Sequence, residues 1–452
     1  MIEFQTRSTF SKVFRNLKAF GVNRLLLAVQ QLIAVPLLLS CWGDSLYGGF
    51  LLLASLPNQF TAVCHLGMST VAANRMAKHV ANGETERANV VFVSTALALM
   101  AIGSLVTLCF FTFCGWVNVG AMFQISSLTD RECTLIICLS LSTWATKQLL
   151  GMFAAVVRAV GQFDKTIHLA TVGSLSEFLI GIGVVVFWAG GNPLHYVATL
   201  QVIALVWLCC AWLLVNYYAP AFRANCRLFD FNELVAIVKS SVVFTSIPST
   251  EAFFNHSVIA IIGVVVGPVA VTAFSITRTA ANFGRQLTTA FTQSLEPEIA
   301  TAFGAGDVQK AKRLHEVGVQ GALISLSLFG GAMFVVAPYV FPHWTRHIVD
   351  LDVMLLSTLL LSQVLHAVWL MSARVLIVQE SLKFFALSYI AVAALALTIC
   401  FCFLDSFGVR VVGLILIGIH AMMIAVVLPR SLRLCKGDVR GLFRLRPLLR
   451  RG

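Results

Sequence analysis

The sequence predicts an all-α integral membrane protein: twelve transmembrane helices in two pseudo-symmetric six-helix bundles, with the N and C termini both cytoplasmic. Three observations lead there. Only 12% of the 452 residues are charged while 58% are hydrophobic, against about 25% charged in ordinary soluble domains. Twelve apolar runs are long enough to cross ~30 Å of hydrocarbon, which needs about 20 helical residues. The lysines and arginines fall almost wholly on one side of the alternating turns.

The runs lie near 20–40, 46–66, 89–114, 133–157, 168–189, 195–217, 241–264, 268–290, 317–341, 351–373, 384–404 and 408–429. Continuous apolar stretches of this kind exclude a barrel, whose strands read as short alternating segments. With the N-terminus inside, the inner segments hold 26 of the 32 Lys and Arg, the outer connections only Arg131, Arg346 and Arg410, and the spans Lys147, Arg278 and Arg285. One missed helix would scramble that asymmetry. The net charge of +12 therefore reports orientation in a membrane rather than nucleic-acid binding, and the basic stretch Arg430 to Arg451 is expected against anionic lipids. The first apolar run follows Arg7, Lys12, Arg15, Lys18 and Arg24 without a small-residue cleavage site, so no cleavable signal peptide is expected. The 12 cysteines form no CxxC pair and read as small apolar packing residues.

The chain divides into an N-terminal bundle (1–220), a cytoplasmic linker (221–240), a C-terminal bundle (241–429) and a basic cytoplasmic tail (430–452). Within the linker, Phe229–Ser240 reads as a short interfacial helix. An internal repeat supports two halves. The stretch from Ala77 through Gly83, Glu84 and Arg87 to Ala88 aligns without gaps with that from Ala300 through Gly306, Asp307 and Lys310 to Ala311, an offset of 223 residues. In both, Gly followed by an acid signals a turn and a helix start. Both copies follow the second span of their half on the inner side, so the repeat is parallel, as in several transporter folds.

Two six-helix halves suggest a rocking transporter, in which ionisable residues inside spans mark the substrate path. The eighth span carries Ser275, Arg278, Asn282, Arg285 and Thr289 at spacings of 3, 4, 3 and 4, all on one helical face. Ala273, Ile276, Ala280, Phe283 and Leu287 hold the other. Two arginines facing lipid would together cost about 5–7 kcal/mol, so the stripe should face protein or water, either to meet a substrate or to pair with acids of the bundle. Lys147 in the fourth span is a further cationic candidate, with Thr143 a turn before it, and Arg158 at that span's inner end suits headgroup contact. Glu177, flanked at spacing 4 by Gly173 and Gly181, and Glu251, three residues after Pro248 and beside Asn255 and His256, are candidates for proton or ion coupling. Each suits a Glu–Lys or Glu–Arg pair equally well. The glycines about Glu177 would let neighbouring backbones approach. His366 reads as a core histidine, and Gln30, Gln31, Asn58 and Gln59 as polar joints between helices.

Metal-hydrolase and phosphate-loop motifs are missing from the sequence, as is any outer domain carrying a nucleophile or paired carboxylates. The expectation is a non-enzyme without a metal or organic cofactor, driven by a proton or sodium gradient.

The run Trp42-Gly43-Asp44-Ser45-Leu46-Tyr47-Gly48, then His65 to Ser69 and Asn74-Arg75-Met76-Ala77, resembles the first hairpin of polysaccharide (O-antigen, Wzx-type) flippases. So does Val157-Arg158-Ala159-Val160-Gly161-Gln162-Phe163. Gly267-Pro268-Val269-Ala270 onward to Arg278, with Leu295-Glu296-Pro297 and Gly306-Asp307, is similar to that family's second half. The superfamily that the resemblance implies (MOP) also holds the multidrug MATE exporters and the lipid II flippases, the latter commonly with two additional helices. It implies two six-helix bundles in a V and alternating access in a bacterial inner membrane. The cargo it implies is a polyprenyl-pyrophosphate-linked oligosaccharide for surface polysaccharide such as lipopolysaccharide O-antigen or exopolysaccharide, with other glycan-assembly proteins as partners. Within that superfamily the residues favour an anionic cargo, because a pyrophosphate wants forked arginine donors while cationic drugs want acids. On this reading Arg278, Arg285, Lys147 and Asn282 attract the headgroup. An ion-coupled multidrug (MATE-like) exporter and a non-transporting scaffold of a glycan-assembly complex are the alternatives.

Overall fold

The computed structural model describes the backbone of residues 2–64, 67–187, 191–223, 225–378 and 382–443; within these, the side chains of 2–25, 28, 61–64, 243–244, 287–294, 297, 382–383 and 443 lie outside the description. The described residues contain helices and no strand. In chain order these are α1 (Ile2–Cys64), α2 (Met68–Ala81), α3 (Thr85–Trp116), α4 (Val119–Met122), α5 (Asp130–Ala159), α6 (Phe163–Phe187), α7 (Pro193–Tyr218), α8 (Phe231–Val265), α9 (Pro268–Gly304), α10 (Val308–Trp344), α11 (Val353–Val378), α12 (Leu382–Phe407), α13 (Arg410–Leu434) and α14 (Val439–Phe443). Helix α1 is broken at Gly43, whose φ of 69° and ψ of −178° belong to no helix. Splitting it there yields twelve long helical segments, in register with the twelve apolar runs. Among the described residues nine helices are long and apolar enough to cross a membrane, α1 counting once. The two long helices outside that set are α8, which carries Glu251, and α9, which carries Arg278 and Arg285.

The outer surface explains why a chain this apolar forms discrete bundles. Leu105, Leu108 and Phe111 on α3, Val202 and Leu213 on α7, Leu328 and Val335 on α10 and Leu387 on α12 are exposed. Small and polar groups such as Ser94, Thr95, Ser362 and Ser372 are buried. Large apolar side chains pointing outward suit hydrocarbon as solvent, while small residues inside let helices approach and serine hydroxyls bond back to their own helices. Ser372, for example, donates to the Val368 carbonyl at 3.0 Å. The 11 described cysteines are free thiols.

Two compact units are formed, Met1–His256 and Ser257–Gly452. In the first, α5 packs against α1, α2, α3, α6 and α7; in the second, α11 packs against α9, α10 and α13. The division falls inside α8, which runs unbroken from the inner connection into its span. The Phe229–Ser240 stretch therefore differs from the interfacial helix expected of it. From Phe231 it is the opening of α8, because nothing between Ser240 and Ser241 stops a helix and Pro248 is the first breaker reached.

The internal repeat is realised in the backbone. At the end of α2, Asn82, Gly83 and Glu84 donate to the carbonyls of Lys78, Val80 and His79. At the end of α9, Ala305, Gly306 and Asp307 donate to those of Thr301, Phe303 and Ala302, each position displaced by 223. Both glycines adopt positive φ, 77° and 72°, the left-handed residue that closes a helix C-terminus and that a Cβ would strain. Glu84 accepts a 2.6 Å hydrogen bond from His79, which holds its carboxyl below the ordinary range. The same offset relates the starts of α3 and α10, and of α5 and α11. Each central helix is also tied at its first turn to a later helix of its own unit. Glu132 of α5 accepts from Asn192 before α7 at 2.8 Å; Asp352 before α11 accepts from Arg410 of α13 at 2.7 Å.

Candidate functional site

In the first unit, the polar residues of α5, α6 and α7 form a connected ladder. Thr143 donates to the side-chain oxygen of Gln201 at 2.8 Å, and the amide of Gln201 turns to Thr146 at 3.4 Å. One residue on, Lys147 Nζ meets Glu177 Oε2 at 2.8 Å. Trp207 Nε1 donates to Ser176 at 2.7 Å, and Gln30 of α1 donates to the Ser174 carbonyl at 3.3 Å. Lys147 and Glu177 thus stand together, in the pairing the sequence left open as an alternative to separate substrate and proton roles. An ammonium and a carboxylate in contact inside a bundle neutralise each other, and each lowers the cost of inserting the other. Gly173 and Gly181 have another use than the backbone contact expected of them. The ring of Trp207 sits 3.8 Å from where a Cβ of Gly173 would be, and that of Tyr196 2.9 Å from where one of Gly181 would be. Both glycines seat aromatic side chains of α7, on either side of Glu177.

This pairing yields a prediction. Glu177→Gln leaves the half-buried Lys147 without its counter-charge and should lower stability by about 1–2 kcal/mol, less than for a fully buried pair because both side chains retain exposure. Adding Lys147→Met should recover most of that loss in thermal unfolding of the purified protein. A double variant less stable than Glu177→Gln alone would show that the two residues act separately.

Glu251 lies half-buried on α8, one turn before Asn255, and His256 is half-buried on the same helix. On the inner side, Arg75 of α2 forms a 2.6 Å ion pair with Glu233 of α8 and also reaches the Ala236 carbonyl and the Ser240 hydroxyl, at 3.3 and 3.4 Å. In the sequence Arg75 stands out only within the run Asn74-Arg75-Met76-Ala77. Its partner is 158 residues away and no local pattern announces it.

In the second unit, Ser275, Arg278, Asn282 and Arg285 are all half-buried; the side chain of Thr289 lies outside the described residues. The most buried positions of α9 centre beside this stripe, on Phe274, Ile276, Thr277, Ala280 and Ala281. At Gly284 the helix meets α10, where Leu326 leaves 2.9 Å for a Cβ. Helix α9 therefore commits its small and apolar flank to packing, with the residues of the cationic stripe half-buried beside it. The Arg278 guanidinium lies 5.9 Å from the centroid of the Phe274 ring, at the outer limit of a cation–π contact.

Two residues were misplaced or missed by the sequence. Arg374 counts there as part of an inner connection, yet it belongs to α11, where it forms a 2.6 Å ion pair with Glu296 of α9. His420 of α13 escaped notice altogether. It accepts a 3.1 Å hydrogen bond from Trp369 Nε1 and lies 5.0 Å from His366, centroid to centroid. His366 is buried, as expected of a core histidine. A lone histidine in an apolar span is the signal that would have found His420.

No protein-family model and no curated protein sequence matches the chain. Solved structures do. An inward-facing multidrug-resistance MATE family transporter of the MOP superfamily superposes with a TM-score of 0.73 at 14% identity, over 92% of this chain and 99% of that one. An outward-facing transporter of the same description gives 0.61 at 14%, covering 94% and 95%. A MOP superfamily transporter from Pyrococcus furiosus, for which a binding pocket of reversed polarity suggests a different function, gives 0.61 at 13%, covering 94% and 96%. At these identities the likeness shows the fold: the chain is built as MATE transporters are.

Proposed function

We propose that this chain, built on a transporter fold, moves a polyprenyl-pyrophosphate-linked oligosaccharide from the cytoplasmic to the outer leaflet of a bacterial inner membrane by alternating access. The observation that carries the reading is the charge of α9 and α11. From Pro268 to Leu295, α9 contains Arg278 and Arg285 and no acid, and α11, packed against it, contains no acid at all. Glu296, at the inner end, is engaged by Arg374. In the first unit, Lys147 stands against Glu177. Guanidinium groups offer paired N–H donors that match phosphate oxygens, and their weak hydration makes them the better phosphate binders away from bulk water. Arg278 and Arg285, with Asn282 between them, are assigned to the pyrophosphate. Lys147 joins them only when its pair with Glu177 opens. Proton coupling through Glu251, or through Glu177 in the same opening, belongs to this proposal. The polarity argument has a parallel in the reversed pocket of the Pyrococcus furiosus transporter.

The test is transport by the purified full chain in liposomes. A fluorescent polyprenyl-pyrophosphate oligosaccharide placed in one leaflet should become accessible to a membrane-impermeant glycosidase on the other side. Movement of a cationic dye without movement of the glycolipid would replace the reading with drug export. Movement of neither would leave a scaffold of a glycan-assembly complex.

A further inference from the structure

We propose that residues 436–443, which hold α14, form a detachable strap that seals the Gly306 end of the second unit, with Leu442 as its plug. Helix α13 ends at Leu434, and there the chain reverses. Lys436 takes the left-handed conformation, with a φ of 50°, and Gly437 donates to the Leu432 carbonyl at 2.7 Å, the way a helix C-terminus is closed. The reversal lays α14 against α10. Gln320 of α10 donates from Nε2 to the carbonyls of Gly441 and Leu442, at 3.3 and 3.0 Å. Leu442 is 2% exposed and completes one apolar cluster with Ile299 of α9, Val319 of α10, Val375 of α11, and Leu432 and Cys435 at the end of α13. A leucine placed where these helices converge keeps water from the space between them.

The first unit has a fixed counterpart. After α7, the last span of its half as α13 is of the other, the chain also turns back under its unit and buries Phe222 at 3% exposure. Arg223 and Asp230 donate their backbone N–H groups to the side chains of Asn89 and Ser94, at 3.2 and 2.8 Å. Both acceptors lie on α3, the helix that matches α10 in the internal repeat. That segment is pinned again just beyond, where Arg75 meets Glu233 at 2.6 Å. The strap has its plug and its bonds from the matching helix, but no such pin. Among the described residues, Lys436, Asp438 and Arg440 form no ion pair with the bundle.

Docking also carries a cost. The strap passes over Glu316 of α10, whose Oε1 lies 2.5 Å from where a Cβ of Gly441 would be. The Glu316 side chain is 8% exposed, and Lys312, its ion-pair partner, stands off at 3.9 Å. A carboxylate so covered is better solvated with the strap away. The buried leucine and the hydrogen bonds from Gln320 therefore stand against a loosely paired buried acid and the entropy of ordering the segment. With the two sides so nearly matched, the strap leaves and returns while the bundle stays folded. When it is off, the space between α9, α10, α11 and α13 is open to water.

Cys435 reports on the strap, because it is 1% exposed and belongs to the plug's own cluster. The purified full chain in nanodiscs is treated with iodoacetamide, and the alkylation of each cysteine is timed by peptide mass spectrometry. Exposed Cys226 marks full access, and Cys400 of α12, at 1% exposure, marks the packed bundle. Cys435 should react more slowly than Cys226 and faster than Cys400. Leu442→Ser should speed its reaction by about ten- to a hundredfold, the change that loss of a buried leucine implies, and leave Cys400 as it was. Leu442→Ala, which keeps an apolar side chain, should give a smaller rise in the same direction. A Cys435 as inert as Cys400 in the unaltered chain would make the segment a permanent part of the bundle, and one as reactive as Cys226 would mean that it never docks. Either result overturns the proposal, as does a rate that Leu442→Ser leaves unmoved. Cys400 quickening together with Cys435 in both variants would show the segment to be required for the fold, and the strap would fall with it.

Discussion

Alanine at both Arg278 and Arg285 is expected to abolish surface glycan export while leaving the amount of inserted protein unchanged. The two side chains are only half-buried, so truncating them costs less packing than truncating a core residue would. Each charge-assisted bond to a phosphate is worth roughly 1.5–3 kcal/mol. Losing two should therefore lower affinity for the glycolipid by at least about a hundredfold. Export is read by surface glycan staining, and insertion by quantifying the protein in isolated membranes. Normal staining in the double variant would remove the stripe from the transport path, whatever the protein carries. Lysine at both positions should restore export only in part, because an ammonium keeps the charge and loses the forked geometry.

The second large effect concerns stability. Glu296→Ala strips Arg374 of its counter-charge at a site where the arginine side chain is 16% exposed. Removing one partner of such a pair is expected to destabilise by about 3 kcal/mol. Replacing both by Glu296→Ala and Arg374→Met should recover much of it, since an apolar pair leaves no charge stranded. The measurement is thermal unfolding of the second unit followed in the purified full chain. A melting temperature that Glu296→Ala leaves untouched would mean that the pair contributes no stability. The comparison also separates Arg374 from the stripe: its replacement should change stability first, and that of Arg278 and Arg285 should change transport first.

Much of this fold is legible in the sequence because the bilayer makes it so. A span needs a continuous apolar run of fixed length, and inner turns attract lysine and arginine, so twelve segments could be placed from local information. The turns at Gly83 and Gly306 were equally legible, since a left-handed residue at a helix end favours glycine. Even the face of α9 followed from the spacing of Ser275, Arg278, Asn282 and Arg285. Helix boundaries were harder. The opening of α8 was read as a separate helix, because a drop in hydropathy marks where a helix leaves the membrane and not where its hydrogen bonds stop.

Pairing was the part that remained out of reach. From the sequence, Lys147 and Glu177, 30 residues apart, suit separate substrate and proton roles or a Glu–Lys pair equally well; in the structure they are one ion pair. Arg75 and Glu233, Arg374 and Glu296, and His366 and His420 are likewise brought together only by helix packing. The cause is physical. Hydropathy, helix ends and orientation are properties of each segment in its solvent, and a segment carries them wherever it goes. Whether a buried charge meets a counter-charge, an aromatic ring or a ligand depends on which helix lies beside it and at what rotation. By itself the sequence determined twelve long helical segments, the internal repeat and a cationic face on α9. The tertiary structure alone decided which of its charges are matched by partners of known position, and which histidines touch.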